Sequence, residues 1–272
     1  MEQVWEGSMR TKSLLPLFLI SVMAPGSMLW ATHTGFTESA ISTSADQGEA
    51  VYAADVDGDG DMDVLSASQV DNKIAWYEND GSESFTEHVI STSADGAYSV
   101  YAADVDADGD MDVLSASYGD DKIAWYENDG SGGFTEHAIS TSADNARSVH
   151  AVDVDGDGDM DVLSASFYDD KIAWYENNGS ESFTEHAIST SADGARSVYA
   201  VDVDGDGDMD VLSASGDDDK IAWYENEGQS PVFMEHVIST SADAAISVYA
   251  ADVDGDGDMD VLSASFYDDK IA

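Results

Sequence analysis

The stretch ADVDGDGDMDVLSAS, residues 54–68, puts five aspartates into nine positions: Asp55, Asp57, Asp59, Asp61 and Asp63. Two carboxylates about 6 Å apart in water repel by roughly 0.7 kcal/mol, and by more where the backbone excludes solvent. The chain nevertheless repeats this arrangement four more times. The copies are Asp104, Asp106, Asp108, Asp110 and Asp112; Asp153, Asp155, Asp157, Asp159 and Asp161; Asp202, Asp204, Asp206, Asp208 and Asp210; and Asp252, Asp254, Asp256, Asp258 and Asp260. Their first members lie 49, 49, 49 and 50 residues apart, and Phe36, Phe85, Phe134, Phe183 and Phe233 keep the same period. A period of that length marks a repeat architecture.

One unit, FTEHVISTSADGAYSVYAADVDADGDMDVLSASYGDDKIAWYENDGSGG, runs from Phe85 to Gly133. Four short β-rich runs (FTEHVIS, SVYAADV, DVLSAS and KIAWYEN) are separated by Gly, Asp, Asn and Ser, leaving no room for a helix of ordinary length. In KIAWYEN, Ile74 and Trp76 point to one side and Ala75 and Tyr77 to the other. Both sides are apolar, so the sheet needs cover on both faces. Four-stranded sheets stacked radially supply it, whereas a flat two-sheet sandwich would expose one polar face per strand and leave the period unexplained. SVYAADV, with the small residues Ala53, Ala54, Ala102 and Ala103, suits the crowded innermost strand. The expected fold is all-β: a β-propeller of four-stranded blades spanning 36–84, 85–133, 134–182, 183–232 and an incomplete 233–272. Phe36 to Ser42 is expected to be an outermost strand, and the last copy stops at Ala272 before the WYEN of the others.

The aspartate loop fits oxygen chemistry around a hard cation. Carboxylates at positions 1, 3, 5 and 9, with a backbone carbonyl at 7, supply the six or more oxygens that calcium accepts, while magnesium demands tighter octahedral geometry. Glycine at position 6 (Gly60, Gly109, Gly158, Gly207 and Gly257) permits the sharp turn. Position 4 is glycine in four copies and Ala107 in the second, so a side chain is tolerated there. An EF-hand needs glutamate at position 12, which here is Ser66, Ser115, Ser164, Ser213 and Ser263.

The DxDxDGxxD spacing followed at once by a strand resembles the calcium loops of FG-GAP and VCBS repeat proteins and of the integrin α-subunit propeller, over residues 36 to 272. The resemblance implies about five calcium ions, one between the first two strands of each blade on the lower rim. It also implies main-chain coordination by Asp61, Asp110, Asp159, Asp208 and Asp258, whose side chains depart from the hydrophobic residue often found there. It further implies six or seven blades in a complete ring, with this chain an open fragment. The alternative is a five-bladed ring closed by the first strand.

Composition bounds the function. The 272 residues carry 57 acids against 9 bases, a formal net charge of −48, yet 43 % are hydrophobic, too many for a disordered acidic tail. That field repels nucleic acid and anionic membranes and favours cations. With no cysteine, disulfides and thiolate chemistry are excluded. Arg10 and Lys12, the apolar run from Leu14 to Ile20 and the small residues up to Ala31 read as a signal peptide over 1–31, with Met9 a more typical start than Met1. Export to a secreted or cell-surface location follows, and no other segment could be transmembrane.

His88, His137, His186 and His236 share one repeat position, as do Lys73, Lys122, Lys171, Lys220 and Lys270. They read as strand residues and local charge partners, because a catalytic site needs one constellation. His150 stands where the other copies have Tyr. The copies differ mainly before the first strand and between the second and third, two loop sets that share the upper face of a propeller, opposite the calcium rim. There lie Tyr98, Tyr118, Arg147, Phe167, Tyr168, Arg196, Phe266 and Tyr267. Aromatic and arginine side chains anchor recognition surfaces, so this face is the expected site for a protein or glycan ligand. The reading is a non-catalytic binding or adhesion module. Its rivals are the propeller of a secreted polysaccharide-acting enzyme using residues around His150 and Arg147, and a passive spacer in a large surface protein.

Overall fold

A computed structural model describes residues 38–82, 84–228 and 232–272. The expected signal peptide, 1–31, lies outside them. The first blade consists of β1 (Gly48–Ala54), β2 (Asp63–Ser68), β3 (Lys73–Asn79) and β4 (Phe85–Ser91). The second holds β5 (Ala97–Ala103), β6 (Asp112–Ser117), β7 (Lys122–Asn128) and β8 (Phe134–Ser140). The third holds β9 (Ala146–Val152), β10 (Asp161–Ser166), β11 (Lys171–Asn177) and β12 (Phe183–Ser189). The fourth holds β13 (Ala195–Val201), β14 (Asp210–Ser215), β15 (Lys220–Asn226) and β16 (Phe233–Ser239), and the fifth β17 (Ala245–Ala251), β18 (Asp260–Ser265) and β19 (Lys270–Ile271). Each sheet is an antiparallel meander in chain order. The molecule is all-β, a five-bladed propeller whose fifth blade has three strands.

The core lies between the blades, as the two apolar faces of KIAWYEN demand. Leu65, Ala67, Ile74 and Trp76 of the first blade pack on Ala97, Val100, Ala102, Val113, Ala124 and Tyr126 of the second. Equivalent clusters join the second blade to the third, the third to the fourth and the fourth to the fifth. Burying a side chain such as Leu65 or Ile74, both fully sequestered, is worth about 1.5–3 kcal/mol each. The alanine-rich strands β1, β5, β9, β13 and β17 are innermost and pack in that order.

Of the outermost strand expected over Phe36 to Ser42, the described part, Glu38 to Ser42, carries no strand; residues 36 and 37 lie outside the described residues. An outermost strand needs a KIAWYEN partner, as β16 has in β15 from Ile221 to Asn226. The fifth copy offers only Lys270 and Ile271, which pair with β18.

Candidate functional site

Each aspartate loop joins the first strand of a blade to the second, and its own carboxylates fold it. In the first loop the Asp59 amide donates to Asp57 Oδ1 (3.1 Å), the Asp61 amide to Asp59 Oδ1 (2.9 Å) and the Gly60 amide to Asp55 Oδ2 (3.0 Å). The same bonds recur at Asp106, Asp108 and Asp104, and in the later copies. Position 6 has φ between 97° and 101° in all five copies, a conformation for glycine. Position 4 is also left-handed, φ 73° at Gly58 and 60° at Ala107. Space is open there, with nothing near a Cβ built on Gly58. Ala107 is therefore accommodated sterically while keeping a backbone conformation that costs an L-residue energy.

Oxygens of three carboxylates converge to within 4.8 Å of one another in every loop: Asp55, Asp57 and Asp63; Asp104, Asp106 and Asp108; Asp153, Asp155 and Asp161; Asp202, Asp204 and Asp206; Asp252, Asp254 and Asp260. Positions 1 and 3 belong to every set, joined by position 5 or position 9. Each cluster could hold a metal ion. Two observations fit a divalent cation. Asp55 Oδ1 and Asp104 Oδ1 are buried without a hydrogen-bond partner. The carboxyls of Asp57, Asp106 and Asp155 are pushed above the usual range by burial and then by neighbouring carboxylates, the strain that a cation relieves.

The position 9 aspartate has a second task. Asp112 is fully buried; its Oδ2 accepts from the Val105 amide (3.0 Å) and its Oδ1 from the Asn128 amide (2.8 Å). Asp63, Asp161 and Asp210 repeat both bonds. Burial pushes the Asp112 and Asp161 carboxyls up to about 6. Position 7 behaves differently: a Cβ at Gly81, in the β3–β4 turn, would sit 2.5 Å from Asp61 Oδ2. Asp110, Asp159 and Asp208 likewise crowd Gly130, Gly179 and Gly228. These carboxylates lie against the hairpin, outside the converging clusters.

Asparagines that end the third strands link the loops across blades. Asn128 Nδ2 donates to Val56 O (2.9 Å) of the first aspartate loop, Asn177 Nδ2 to Val105 O (3.0 Å) of the second and Asn226 Nδ2 to Val154 O (3.0 Å) of the third. The sequence reading did not single them out; their recurrence at the end of every complete KIAWYEN was the available signal. The recurring histidines and lysines are local partners. His88 stacks on Trp76 at 4.5 Å and 24° and meets Glu78 Oε2 at 2.7 Å, while Lys73 Nζ binds Glu87 (2.8 Å) and Asp71 (3.3 Å).

On the opposite rim the β2–β3 turn and the segment before β1 are joined by backbone bonds, as Gln69 N to Gln47 O (2.9 Å) and Phe167 N to Asn145 O (3.1 Å) show. The register slips beside that segment: Ala97 faces Ser117 but Ser99 faces Ala116, leaving Tyr98 in a bulge. Arg147, Arg196 and Ile246 occupy the same bulged place, where a strand re-aims one side chain. The Arg147 guanidinium lies 4.5 Å from the Tyr98 ring centroid, 4.9 Å from Tyr118 and 5.8 Å from Phe167; that of Arg196 lies 4.9 Å from Phe167. Gln69 Nε2 donates to the Tyr118 hydroxyl (2.8 Å) and extends the row to the first blade. Tyr168 stands against Phe167 and is exposed; Phe266 and Tyr267 form a like exposed pair on the fifth blade, with no arginine stacked on either among the described residues.

Among solved structures, the chain is similar to a lectin of Agrocybe aegerita described as specifically recognising non-reducing terminal N-acetylglucosamine. The TM-score is 0.56 at 19 % identity, over 80 % of this chain and 61 % of that one. It is also similar to the Vibrio cholerae biofilm matrix protein Bap1, with a TM-score of 0.48 at 20 % identity over 80 % of this chain and 34 % of that one. The chain thus spans less than two thirds of either structure. No curated protein sequence matches it. The model of the FG-GAP-like repeat matches residues 55–115, 104–164, 153–213 and 202–263. Those overlapping segments run from the first aspartate loop into the last, and the chain belongs to the FG-GAP-like repeat family.

Proposed function

We propose that the chain is a secreted, calcium-loaded binding module that holds a glycan or protein ligand on the face opposite its aspartate loops, without catalysis of its own. The observation that carries this reading is the row Tyr98, Tyr118, Arg147, Phe167 and Arg196, assembled from three blades on bulged strand ends and turns. Pre-stacked guanidinium groups and rings lose little side-chain freedom on binding, which favours affinity. Glycan recognition by the structurally similar Agrocybe aegerita lectin supports a sugar ligand.

Calcium would be held by the aspartates at positions 1, 3, 5 and 9 and the main-chain carbonyl at position 7 of each loop. It would supply the positive charge that lets crowded carboxylates coexist. No helix among the described residues is long and apolar enough to cross a membrane.

The test is capture from panels of glycans and matrix proteins, with and without calcium. Arg147→Ala, Tyr168→Ala and Arg196→Ala should each weaken capture at least tenfold while leaving the melting temperature near that of the parent. Unaltered capture by all three would remove the proposal.

A further inference from the structure

The innermost strands carry a second aromatic series, on the axis. Tyr52, Tyr101, His150, Tyr199 and Tyr249 follow one another with ring centroids 4.5, 4.6, 5.0 and 4.7 Å apart. Their planes are splayed by 43° to 54°. The Trp–His pairs elsewhere lie at 24° to 28° and cover each other's faces; splayed rings leave part of each face open. Beside them is a cleft of about 570 Å³, walled by Tyr101, His150 and Tyr199 and bordered by Asp202, Asp204 and Asp258. That volume suits a small molecule.

Among the described residues no lysine or arginine lines the cleft, and burial holds the His150 imidazole down to about 4, neutral near pH 7. Asp202 and Asp204 belong to a cluster that could hold a metal ion. Asp258 does not: it is an exposed position 7 carboxylate. The cleft therefore combines π-faces with one bordering carboxylate, Asp258, whose side chain lies outside the converging clusters. Aromatic faces attract cations, most strongly those that are weakly hydrated and need no hydrogen-bond acceptor.

We propose that the axial cleft binds an organic ammonium cation, with the alkylated head against Tyr101, His150 and Tyr199 and Asp258 supplying attraction at the mouth. This goes beyond ligand capture on the upper face and stands independently of it.

The probe is choline, compared by calorimetry on the full chain in saturating calcium with its neutral isostere 3,3-dimethylbutan-1-ol. Choline is expected to bind at one site, and the uncharged alcohol about tenfold more weakly. Tyr199→Leu should weaken choline by a similar factor. Asp258→Asn, on an exposed loop that leaves the core untouched, should weaken it severalfold and flatten its salt dependence. Equal binding of choline and the alcohol, no saturable binding of choline, or choline binding unchanged in both variants would each overturn the proposal. So would N-acetylglucosamine perturbing the Tyr101 and His150 ring protons where choline does not.

Discussion

Asn79 and Asn177 are the same residue at the same repeat position, yet they should differ in worth by one hydrogen bond. Asn177 Nδ2 donates to Met160 O (3.1 Å) in its own blade and to Val105 O (3.0 Å) in the preceding one, and its Oδ1 accepts from the Gly179 amide (3.2 Å). Among the described residues Asn79 makes only the two bonds within its blade, to Met62 O (3.0 Å) and from the Gly81 amide (3.2 Å). Truncation to alanine removes the shared bonds from both variants, so they cancel in the comparison. What remains is the carbonyl of Val105, a residue only 3 % exposed, left without this donor. An orphaned buried acceptor costs about 1–3 kcal/mol. Asn177→Ala should therefore destabilise by about 1–3 kcal/mol more than Asn79→Ala. Asn128→Ala and Asn226→Ala, which lose equivalent bonds to Val56 O and Val154 O, should resemble Asn177→Ala. Urea unfolding in saturating calcium, followed by tryptophan fluorescence, gives the difference as a shift in midpoint at constant slope. Equal destabilisation by all four variants would refute the cross-blade lock.

Calcium at one hundred times its dissociation constant should add about 2.7 kcal/mol for each site that binds only the folded chain. The melting temperature should therefore rise with calcium, and a chelator that leaves it unmoved would contradict the assignment. Ala107→Gly should stabilise by about 1 kcal/mol, since it relieves the left-handed backbone at φ 60° at an exposed position whose glycine equivalents have open space around a built Cβ; a destabilised variant would show that the side chain packs. His150 gives a pH dependence of definite sign. Its folded pKa of about 4 lies below the ordinary 6.5, so the unfolded chain binds the proton first. Stability should fall as pH drops from about 6.5 to about 4, by up to about 3 kcal/mol. In His150→Tyr, which matches the other copies, that part of the acid loss should vanish, and identical pH profiles for the two proteins would count against it.

The blades were legible because KIAWYEN is apolar on both faces, a pattern that admits few architectures. The convergence of carboxylates in the loops was legible because glycine at position 6 permits the sharp turn that brings aspartates at alternate positions together. Composition could not show how the chain reuses a residue. Asp112 looks like one more ligand in the sequence, whereas the structure gives both of its oxygens backbone amides. Asn177 reads in the sequence only as the last residue of a KIAWYEN strand, since its cross-blade partner is 72 residues away. Tyr101 and its equivalents were hidden for another reason: strand alternation separates two faces but does not say which one meets the axis. The variable residues Tyr98, Arg147 and Arg196 were placed on the upper face from topology alone. That a bulge aims each of them and stacks arginine on ring is a backbone irregularity that no spacing reveals.

The same loop that gathers carboxylates also fixes the direction in which blades depend on one another. Val105 stands between Asp104 and Asp106, two members of one converging cluster. Its amide is held by Asp112 of the same loop and its carbonyl receives Asn177 of the following blade. A cation drawing Asp104 and Asp106 together would therefore fix the peptide groups on both sides of Val105, and with them the acceptor that the third blade uses. The second blade's dependence on the first runs through Val56, flanked by Asp55 and Asp57 in the first loop. Each ion would then support the interface that follows its own blade. On this connectivity, the acid-rich loop of one blade is part of the packing of the next, and a bound cation would tie metal occupancy to blade order.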